Sequence, residues 1–202
     1  MCGRYYIESE DIAEELQAII EEVNRKQKER EEKEQAAAAP SLAVKQGEVY
    51  PSDMAAVVTA DRPRAMRWGF TRFDGKGLVI NARSETIGEK PMFRAARPCL
   101  VPASHYFEWE HRGKEKVKYR IGLPGKPLYM AGLYRMEQGA PVFTILTRDP
   151  APQIAFIHNR MPLILPASAR AAWLNGDMTD DVLDAAELSV VFEQDGGQLS
   201  FA

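Results

Sequence analysis

The chain has 202 residues, of which 45% are hydrophobic and 27% charged, and its formal net charge is −3. This composition is typical of a soluble globular protein that is long enough to bury a substantial core, and we expect one domain over residues 1–202. No run of about 18 apolar residues occurs, which excludes an apolar membrane-spanning helix.

Charge is distributed unevenly along the sequence. Residues 40–173 contain 20 basic and 11 acidic side chains, whereas residues 8–39 and 174–202 are both acidic. A basic central region can face a polyanion such as nucleic acid even when the whole protein is acidic. Scattered solvated charges are the alternative interpretation.

The N-terminal third predicts a long helix. Residues 9–23, SEDIAEELQAIIEEV, place apolar side chains at helical spacing and predict an amphipathic helix on the core. Residues 24–39 keep helix-forming residues but lose every large apolar one, so we expect a charged helical extension in solvent. A coiled-coil partner is not favoured, because no repeated apolar seam continues there.

The rest of the chain alternates short apolar runs with Gly, Pro and Asp. Seven runs predict strands of antiparallel sheets: AAVVTA, RAMRWGF, GLVINAR, CLVPASHYFEWE, VKYRIGL, LYMAGLYRM and VFTILTR. Short helices are expected only at intervals, including PASARAAWLNG and TDDVLDAAEL near the C-terminus. The sequence therefore predicts an α+β fold with a strand-rich, antiparallel, barrel-like core, peripheral helices and the long charged N-terminal helix.

Cysteine usage points to a reducing compartment. No basic segment followed by an apolar stretch directs the chain to secretion, so we expect a cytoplasmic protein in which Cys2 and Cys99 are free thiols. Cys2 follows Met1 directly, and removal of Met1 leaves a terminal cysteine. Such a residue carries two adjacent nucleophiles, the α-amine and the thiol.

A carboxylate and an imidazole are candidate proton-transfer groups. Strand alternation places Glu108 among aromatic residues, where desolvation raises a carboxyl pKa and suits a general acid or base. A structural pair between this glutamate and an arginine is the alternative. His158 follows an apolar turn and transfers protons near neutral pH, although a single histidine is often structural. No histidine or cysteine pair has zinc-ligand spacing, so we expect neither a metal nor a cofactor.

Several residues are candidates for nucleic-acid contact. Asn81 and Arg83 project to the same side of a strand and form a plausible phosphate and sugar clamp, which Arg4 and Arg160 extend. Trp68 is interpreted either as a base-stacking surface or as core packing.

Taken together, the motifs resemble the SOS-response-associated peptidase (SRAP) family, whose proteins sense abasic sites in single-stranded DNA. The resemblance rests on an ordered set of short segments: Cys2-Gly3-Arg4, Trp68-Gly69, Asn81-Ala82-Arg83-Ser84-Glu85, Cys99-Leu100-Val101-Pro102-Ala103, Phe107-Glu108-Trp109 and His158-Asn159-Arg160-Met161-Pro162. The chain departs from the family pattern at His105-Tyr106-Phe107, where Gly-(Phe/Tyr)-Tyr is usual, and at Asn159, where Asp is common.

The resemblance implies a chemistry for the terminal cysteine. The Cys2 amine attacks the aldehyde of an abasic sugar, and the thiol then closes a thiazolidine ring. It further implies catalytic roles for Cys2, Asn81, Glu108 and His158. DNA contacts through Arg4, Trp68, Arg83 and Arg160, autocatalytic removal of Met1, and AP lyase activity are also implied.

The resemblance also sets the expected partners, and two other functions stay open. The expected partner is single-stranded DNA with abasic sites, together with replication-associated proteins, for a monomer in the cytoplasm near the nucleoid. A thiol peptidase acting on other proteins is one alternative. A nucleic-acid-binding or structural protein without covalent chemistry is the other.

Overall fold

The fold is built mainly from strands, as the short apolar runs predict. The structure is a computed structural model that describes residues 2–8, 14–34 and 44–195. In chain order its strands and helices are β1 (Arg4–Ile7), α1 (Glu14–Glu34), β2 (Gly47–Val49), β3 (Met54–Val58), β4 (Pro63–Trp68), β5 (Phe70–Thr71), β6 (Leu78–Val79), β7 (Asn81–Arg83), β8 (Arg97–Ala103), β9 (His105–Arg112), β10 (Glu115–Gly122), β11 (Leu128–Glu137), β12 (Ala140–Arg148), β13 (Met161–Pro162), α2 (Ala167–Leu174), α3 (Asp180–Asp184) and β14 (Val191–Gln194).

A closed five-stranded barrel forms the centre of the molecule. Its strands follow the order β11-β8-β3-β4-β12, and β12 pairs with β11 to close the ring. Neighbours are antiparallel except β4 and β12, and β7 also runs parallel beside β12. This arrangement confirms the predicted strand-rich, barrel-like α+β fold.

A second sheet carries the N-terminal strand. Its order is β14-β10-β9-β1-β2, and all its pairs are antiparallel. The run CLVPASHYFEWE, which predicts one strand, is divided at Ser104 between the two sheets. The Ser104 amide donates to the Tyr6 carbonyl at 2.9 Å, and the Ser104 hydroxyl accepts from the Glu8 amide at 3.0 Å. These bonds hold β9 beside β1, which brings Glu108 close to the N-terminus.

Large aromatic side chains fill the interior between the two sheets. Trp68 is fully buried, stacks on Phe143 with ring centroids 6.2 Å apart, and donates from its indole nitrogen to the Ile80 carbonyl at 3.0 Å. Tyr5 packs against the same indole at 5.2 Å. Each such ring removes roughly 150–250 Å² from water. This packing therefore fixes β1 firmly against the barrel.

Helix α1 changes character along its length, as its sequence predicts. Leu16, Ile20 and Val23 are buried against the core. Beyond them, Arg25 pairs with Glu22 and Glu29 on an exposed surface, where solvent screens such pairs and they add little stability. Residues 9–13 and 35–39 of the predicted helix lie outside the described residues. Within the described ranges, no helix is both long and apolar enough to cross a membrane.

Candidate functional site

Cys2 lies inside the protein, immediately before β1. Its side chain is fully buried, and its carbonyl accepts a hydrogen bond from Asn81 Nδ2 at 2.8 Å. Asn81 begins β7, which pairs with β12 of the barrel through Ile145. The barrel wall therefore holds the second residue of the chain in place.

The environment of Cys2 keeps its thiol protonated. Burial raises the pKa of the Cys2 thiol far above its ordinary value, and the negative charge of Glu108 raises it further. The sulfur has a weak contact with the Arg4 carbonyl at 3.6 Å. Cys99 is also a buried free thiol, so neither cysteine forms a disulfide. At neutral pH, Cys2 needs help from neighbouring groups before its sulfur can act as a thiolate nucleophile.

Glu108 is a buried carboxyl group next to this thiol. It lies on β9, is only 3% exposed, and burial raises its pKa from 4.5 to about 7. Its strand neighbour on the same face is Tyr106, which is fully buried. A carboxyl group that titrates near neutrality can both donate and accept a proton during a reaction.

His158 stands on the segment between the short 3₁₀ turn Pro152–Ile154 and β13. Its Nδ1 accepts a hydrogen bond from the Arg160 amide at 3.0 Å, which leaves Nε2 to carry the proton of the neutral ring. Burial lowers the pKa of His158 below its ordinary value. The imidazole is therefore neutral at physiological pH and can move a proton through Nε2.

Glu108 and His158 face a common cleft of about 490 Å³. Its walls combine these two groups with the residue after Cys2 and with several cationic and aromatic side chains: Gly3, Arg4, Glu108, Trp109, His111, Lys116, Lys118 and His158. Cys2 is fully buried and directly precedes Gly3, which lines this cleft. Asn81 contacts Cys2 through its hydrogen bond, and the charge of Glu108 acts on the Cys2 thiol. His158 shares the cleft with Glu108.

Cationic side chains are held over aromatic rings at the cleft. The Arg4 guanidinium lies over the rings of Tyr50 and Trp109, 4.7 and 5.0 Å from their centroids. Lys118 Nζ lies 3.7 Å from the centre of the Phe107 ring, and it also pairs with Glu48 at 2.7 Å. Phe107 is only 2% exposed, so Trp109 rather than Phe107 offers a ring at the cleft surface. Arg4 is also paired with Glu48, and Lys118 with Asp195 at 2.8 Å. A partly exposed aromatic ring beside cations is a combination that single-stranded nucleic acid can bind.

Two residues expected to contact DNA lie elsewhere. The Trp68 ring is fully buried, so it belongs to the core and offers no stacking face. Arg160 is also buried; its guanidinium donates to both carboxylate oxygens of Glu85 at 2.8 Å, to Asp149 at 2.7 Å and to the Thr147 carbonyl at 2.6 Å. Arg160 therefore links structural elements and does not line the cleft. Arg83, at the end of β7, is exposed.

Sequence reasoning did not assign a DNA-binding role to the other cleft residues. Trp109, Lys116 and Lys118 lie on the β9–β10 hairpin, where Trp109 is paired with Lys118 and His111 with Lys116. The available signal was the alternation of aromatic with charged residues along β9 and of charged with apolar residues along β10. That alternation identifies a shared face, but it does not show whether the face is exposed.

Known proteins share both the sequence pattern and the fold. The family model described as SOS response associated peptidase (SRAP) matches residues 1–198. The abasic site processing protein YoqW of Bacillus subtilis (strain 168) is 34% identical over an alignment of 205 residues. The match covers 89% of this chain and 83% of YoqW. The abasic site processing protein YedK of Escherichia coli (strain K12) is 31% identical over 122 residues, 55% of this chain and 54% of YedK. A protein from Bacteroides thetaiotaomicron has the same fold, with a TM-score of 0.72 at 22% identity, covering 96% of this chain and 91% of that one.

Proposed function

The chain belongs to the SOS response associated peptidase (SRAP) family, and from this premise and the site geometry we propose that it processes abasic sites in single-stranded DNA. The proposal is that it traps the lesion covalently through Cys2 and so protects it during the DNA damage response. The observation that carries the proposal is the position of Cys2: Asn81 anchors its carbonyl, the charge of Glu108 acts on its thiol, and the next residue, Gly3, lines the cleft that Glu108 and His158 share.

The first step uses the α-amine of Cys2 after Met1 has been removed. An abasic sugar opens to an aldehyde at C1′, and the amine nitrogen bonds to that carbon to form a carbinolamine. An α-amine has a pKa of about 8, against about 10.4 for lysine, so a useful fraction is unprotonated at neutral pH. Loss of water then gives a protonated Schiff base, with the proton for the leaving hydroxyl supplied by Glu108.

The second step uses the thiol of the same residue. The S–H bond breaks, the sulfur bonds to C1′, and the imine nitrogen ends as the ring amine of a thiazolidine. The overall reaction joins aldehyde and cysteine and releases one water, with no change in oxidation state. An internal cysteine cannot complete this sequence, because its nitrogen belongs to a peptide bond.

The surrounding residues have separate roles in this proposal. Asn81 fixes the Cys2 backbone, and its side-chain oxygen is available to hold the amine. Neutral His158 moves protons during opening of the sugar ring. Arg4 and exposed Arg83 bind phosphates, and Trp109 stacks on a base beside the lesion. Autocatalytic release of Met1 and AP lyase activity are further activities that the same amine and carboxyl group can support.

The test is formation of a covalent adduct with an abasic single strand. Fully processed protein is expected to give a gel-stable adduct whose mass equals protein plus DNA less one water. Cys2→Ala and a form that keeps a residue before Cys2 are expected to give none. Equal adduct formation by these forms, or no adduct with processed wild-type protein, would contradict the proposal. DNA binding without an adduct would instead indicate the non-covalent alternative.

The thiol peptidase alternative has less support from the site. A thiol that attacks peptide bonds is normally held as a thiolate by a lowered pKa. Burial shifts the pKa of Cys2 in the opposite direction. Turnover of peptide substrates with loss of activity in Cys2→Ala would nevertheless establish that function.

A further inference from the structure

Two carboxylates contact the lysine on one wall of the cleft. Lys118 lines the cleft, and its Nζ lies 2.7 Å from Glu48 Oε1 and 2.8 Å from Asp195 Oδ2. Glu48 also lies 3.7 Å from Arg4, a second cation of the same cleft. The side chains of Lys118, Glu48 and Asp195 are between 22% and 29% exposed, so solvent screens these pairs less than it screens pairs on an open surface. Lys118 therefore presents no uncompensated positive charge to a phosphate.

Contacts other than the ion pairs hold both carboxylates at this position. Asp195 directly follows β14, and its amide donates a hydrogen bond to the Lys118 carbonyl at 2.8 Å. Glu48 lies in β2, where pairing with β1 places it opposite Tyr6. Its second carboxylate oxygen, Oε2, accepts a hydrogen bond from the Tyr50 hydroxyl. The fold thus places two anions beside Lys118 through backbone pairing as well as through charge.

Both carboxyl groups are ionised at neutral pH. Hydrogen bonds from Lys118 lower the pKa of Glu48 and the pKa of Asp195 below their ordinary values. An ionised carboxylate offers an ammonium group what a DNA phosphate offers, namely a negative charge on oxygen acceptors. A carboxylate and a phosphate therefore bind the same donors of Lys118.

We propose that Glu48 and Asp195 compete with DNA phosphate for Lys118 and so weaken the binding of undamaged single strands. The inference rests on the proposed function, because it takes single-stranded DNA as the occupant of the cleft. A phosphate gains Lys118 only when the lysine gives up a carboxylate, so the net gain in affinity is small. Undamaged strands then dissociate, whereas an abasic strand is retained by its covalent bond. The two carboxylates thus favour the lesion by opposing the strand that lacks it.

The test is the affinity of charge-neutral variants for an undamaged single strand, measured by fluorescence anisotropy over a range of salt concentrations. Asp195→Asn keeps the size of the side chain and removes its charge. Glu193→Gln is the matched control, because it makes the same change in net charge on β14 while its carboxylate lies 3.1 Å from Arg120, which does not line the cleft. Arg120 also lies 3.7 Å from Asp195, so the control detects any effect that passes through Arg120. A thermal melt of each variant checks that it is folded.

We expect Asp195→Asn to bind the strand about fivefold more tightly in about 0.1 M salt, the effect of one added phosphate contact. The dependence of log K on log salt should become steeper by about 0.7 for the same reason. Glu193→Gln should stay within about twofold of wild type, because its charge lies away from the cleft cations. In a Lys118→Met background, Asp195→Asn should add no affinity, since the ammonium group that it releases is absent. Glu48→Gln tests the same inference if Asp195→Asn fails to fold.

Two results would overturn the inference. One is an equal gain in Asp195→Asn and Glu193→Gln, which is the effect of net charge alone. The other is unchanged or weaker binding by folded Asp195→Asn, which means that the carboxylate positions Lys118 and does not compete for it. The undamaged strand has no aldehyde, so the measurement is independent of covalent chemistry. Tighter binding by Asp195→Asn, with no adduct from processed wild-type protein, would support the inference and remove only the proposed trapping of the lesion. Absence of binding by both proteins would overturn the inference and the proposed function together.

Discussion

Asn81 Nδ2 donates a hydrogen bond of 2.8 Å to the carbonyl oxygen of Cys2, across 79 positions of sequence. The bond connects the start of the chain to β7, which the barrel strand β12 supports through the pairs of Asn81 with Ile145 and Ala82 with Leu146. Cys2 therefore takes its position from the barrel as well as from the adjoining strand β1.

Replacement of Asn81 by alanine is expected to slow adduct formation. The variant loses the bond that fixes Cys2, and displacement of a reacting group by about 1 Å can cost on the order of a hundredfold in rate. We expect a decrease of about ten- to a hundredfold, measured as single-turnover adduct formation with abasic single-stranded DNA. Asn175→Ala, at an exposed asparagine after α2, is the matched control. An unchanged rate in Asn81→Ala would show that β1 alone positions the cysteine.

Glu108→Gln is expected to remove a pH dependence from the stability of the protein. The pKa of Glu108 is raised from 4.5 to about 7 by burial, so the folded protein keeps this proton at pH values where the unfolded chain has released it. The stability contributed by the protonated group is complete below 4.5 and is lost as the pH rises through about 7. Urea unfolding at about pH 5 and about pH 8 should therefore show wild type losing more stability than Glu108→Gln between these values. Parallel stability profiles for the two proteins would contradict the raised pKa.

Glu108→Gln should also form the Schiff base more slowly than wild type, because the amide cannot supply the proton.

Much of the fold could be predicted from local patterns, but the pairing of strands could not. The apolar runs mark the barrel strands because their side chains are buried on at least one face. Strands β1 and β14 were not predicted as strands, since RYYI and VFEQ are short and mix polar with aromatic residues. They are strands because β9 and β10 provide edges on which to pair. The change of sheet at Ser104 is likewise set by contacts with Tyr6 and Glu8, which lie far away in sequence.

In the candidate site too, residue types can be recognised from the sequence, whereas burial and contacts follow only from the fold. The residue types of Cys2, Glu108 and His158 make them candidates for chemistry, because few side chains move protons or attack carbonyl carbons at neutral pH. Their catalytic roles are predictions that rest on the family resemblance, since residue type alone leaves a structural role open for Glu108 and His158. Trp68 and Trp109 could not be distinguished in this way. Both stand in alternating runs, and the structure buries one and places the other at the cleft. Which tryptophan is covered depends on the packing of Phe143 and Tyr5, which no local pattern reports.

Loss of Arg160 is expected to lower stability, whereas loss of Arg83 is expected to weaken DNA binding. Arg160→Met removes the buried guanidinium that joins Glu85, Asp149 and the Thr147 carbonyl, so it should lower the free energy of unfolding by about 1–3 kcal/mol. Exposed Arg83→Met should change stability by less than about 0.5 kcal/mol. It should weaken DNA binding and reduce the dependence of log K on log salt by about 0.7, the value for one phosphate contact on a single strand. Denaturant unfolding and salt-dependent binding of both variants provide the measurement. If Arg160→Met is folded and loses more of its salt dependence than Arg83→Met does, then Arg160, and not Arg83, contacts the DNA phosphates.

Trp109→Ala is expected to weaken binding of undamaged and abasic single strands alike. The Arg4 guanidinium lies over both the Trp109 and the Tyr50 ring, so the variant loses a stacking face and one of the two rings that hold this cation. Stacking of one base on an aromatic side chain contributes about 1–3 kcal/mol, which corresponds to a loss of roughly five- to 150-fold in affinity.

Fluorescence anisotropy with a tetrahydrofuran analogue of the lesion measures this affinity without covalent reaction, because the analogue has no aldehyde. Phe73→Ala is the control, since Phe73 is 84% exposed and does not line the cleft. Equal affinity of Trp109→Ala and Phe73→Ala would mean that the strand crosses the cleft without stacking on Trp109, and that its affinity depends on the cations alone.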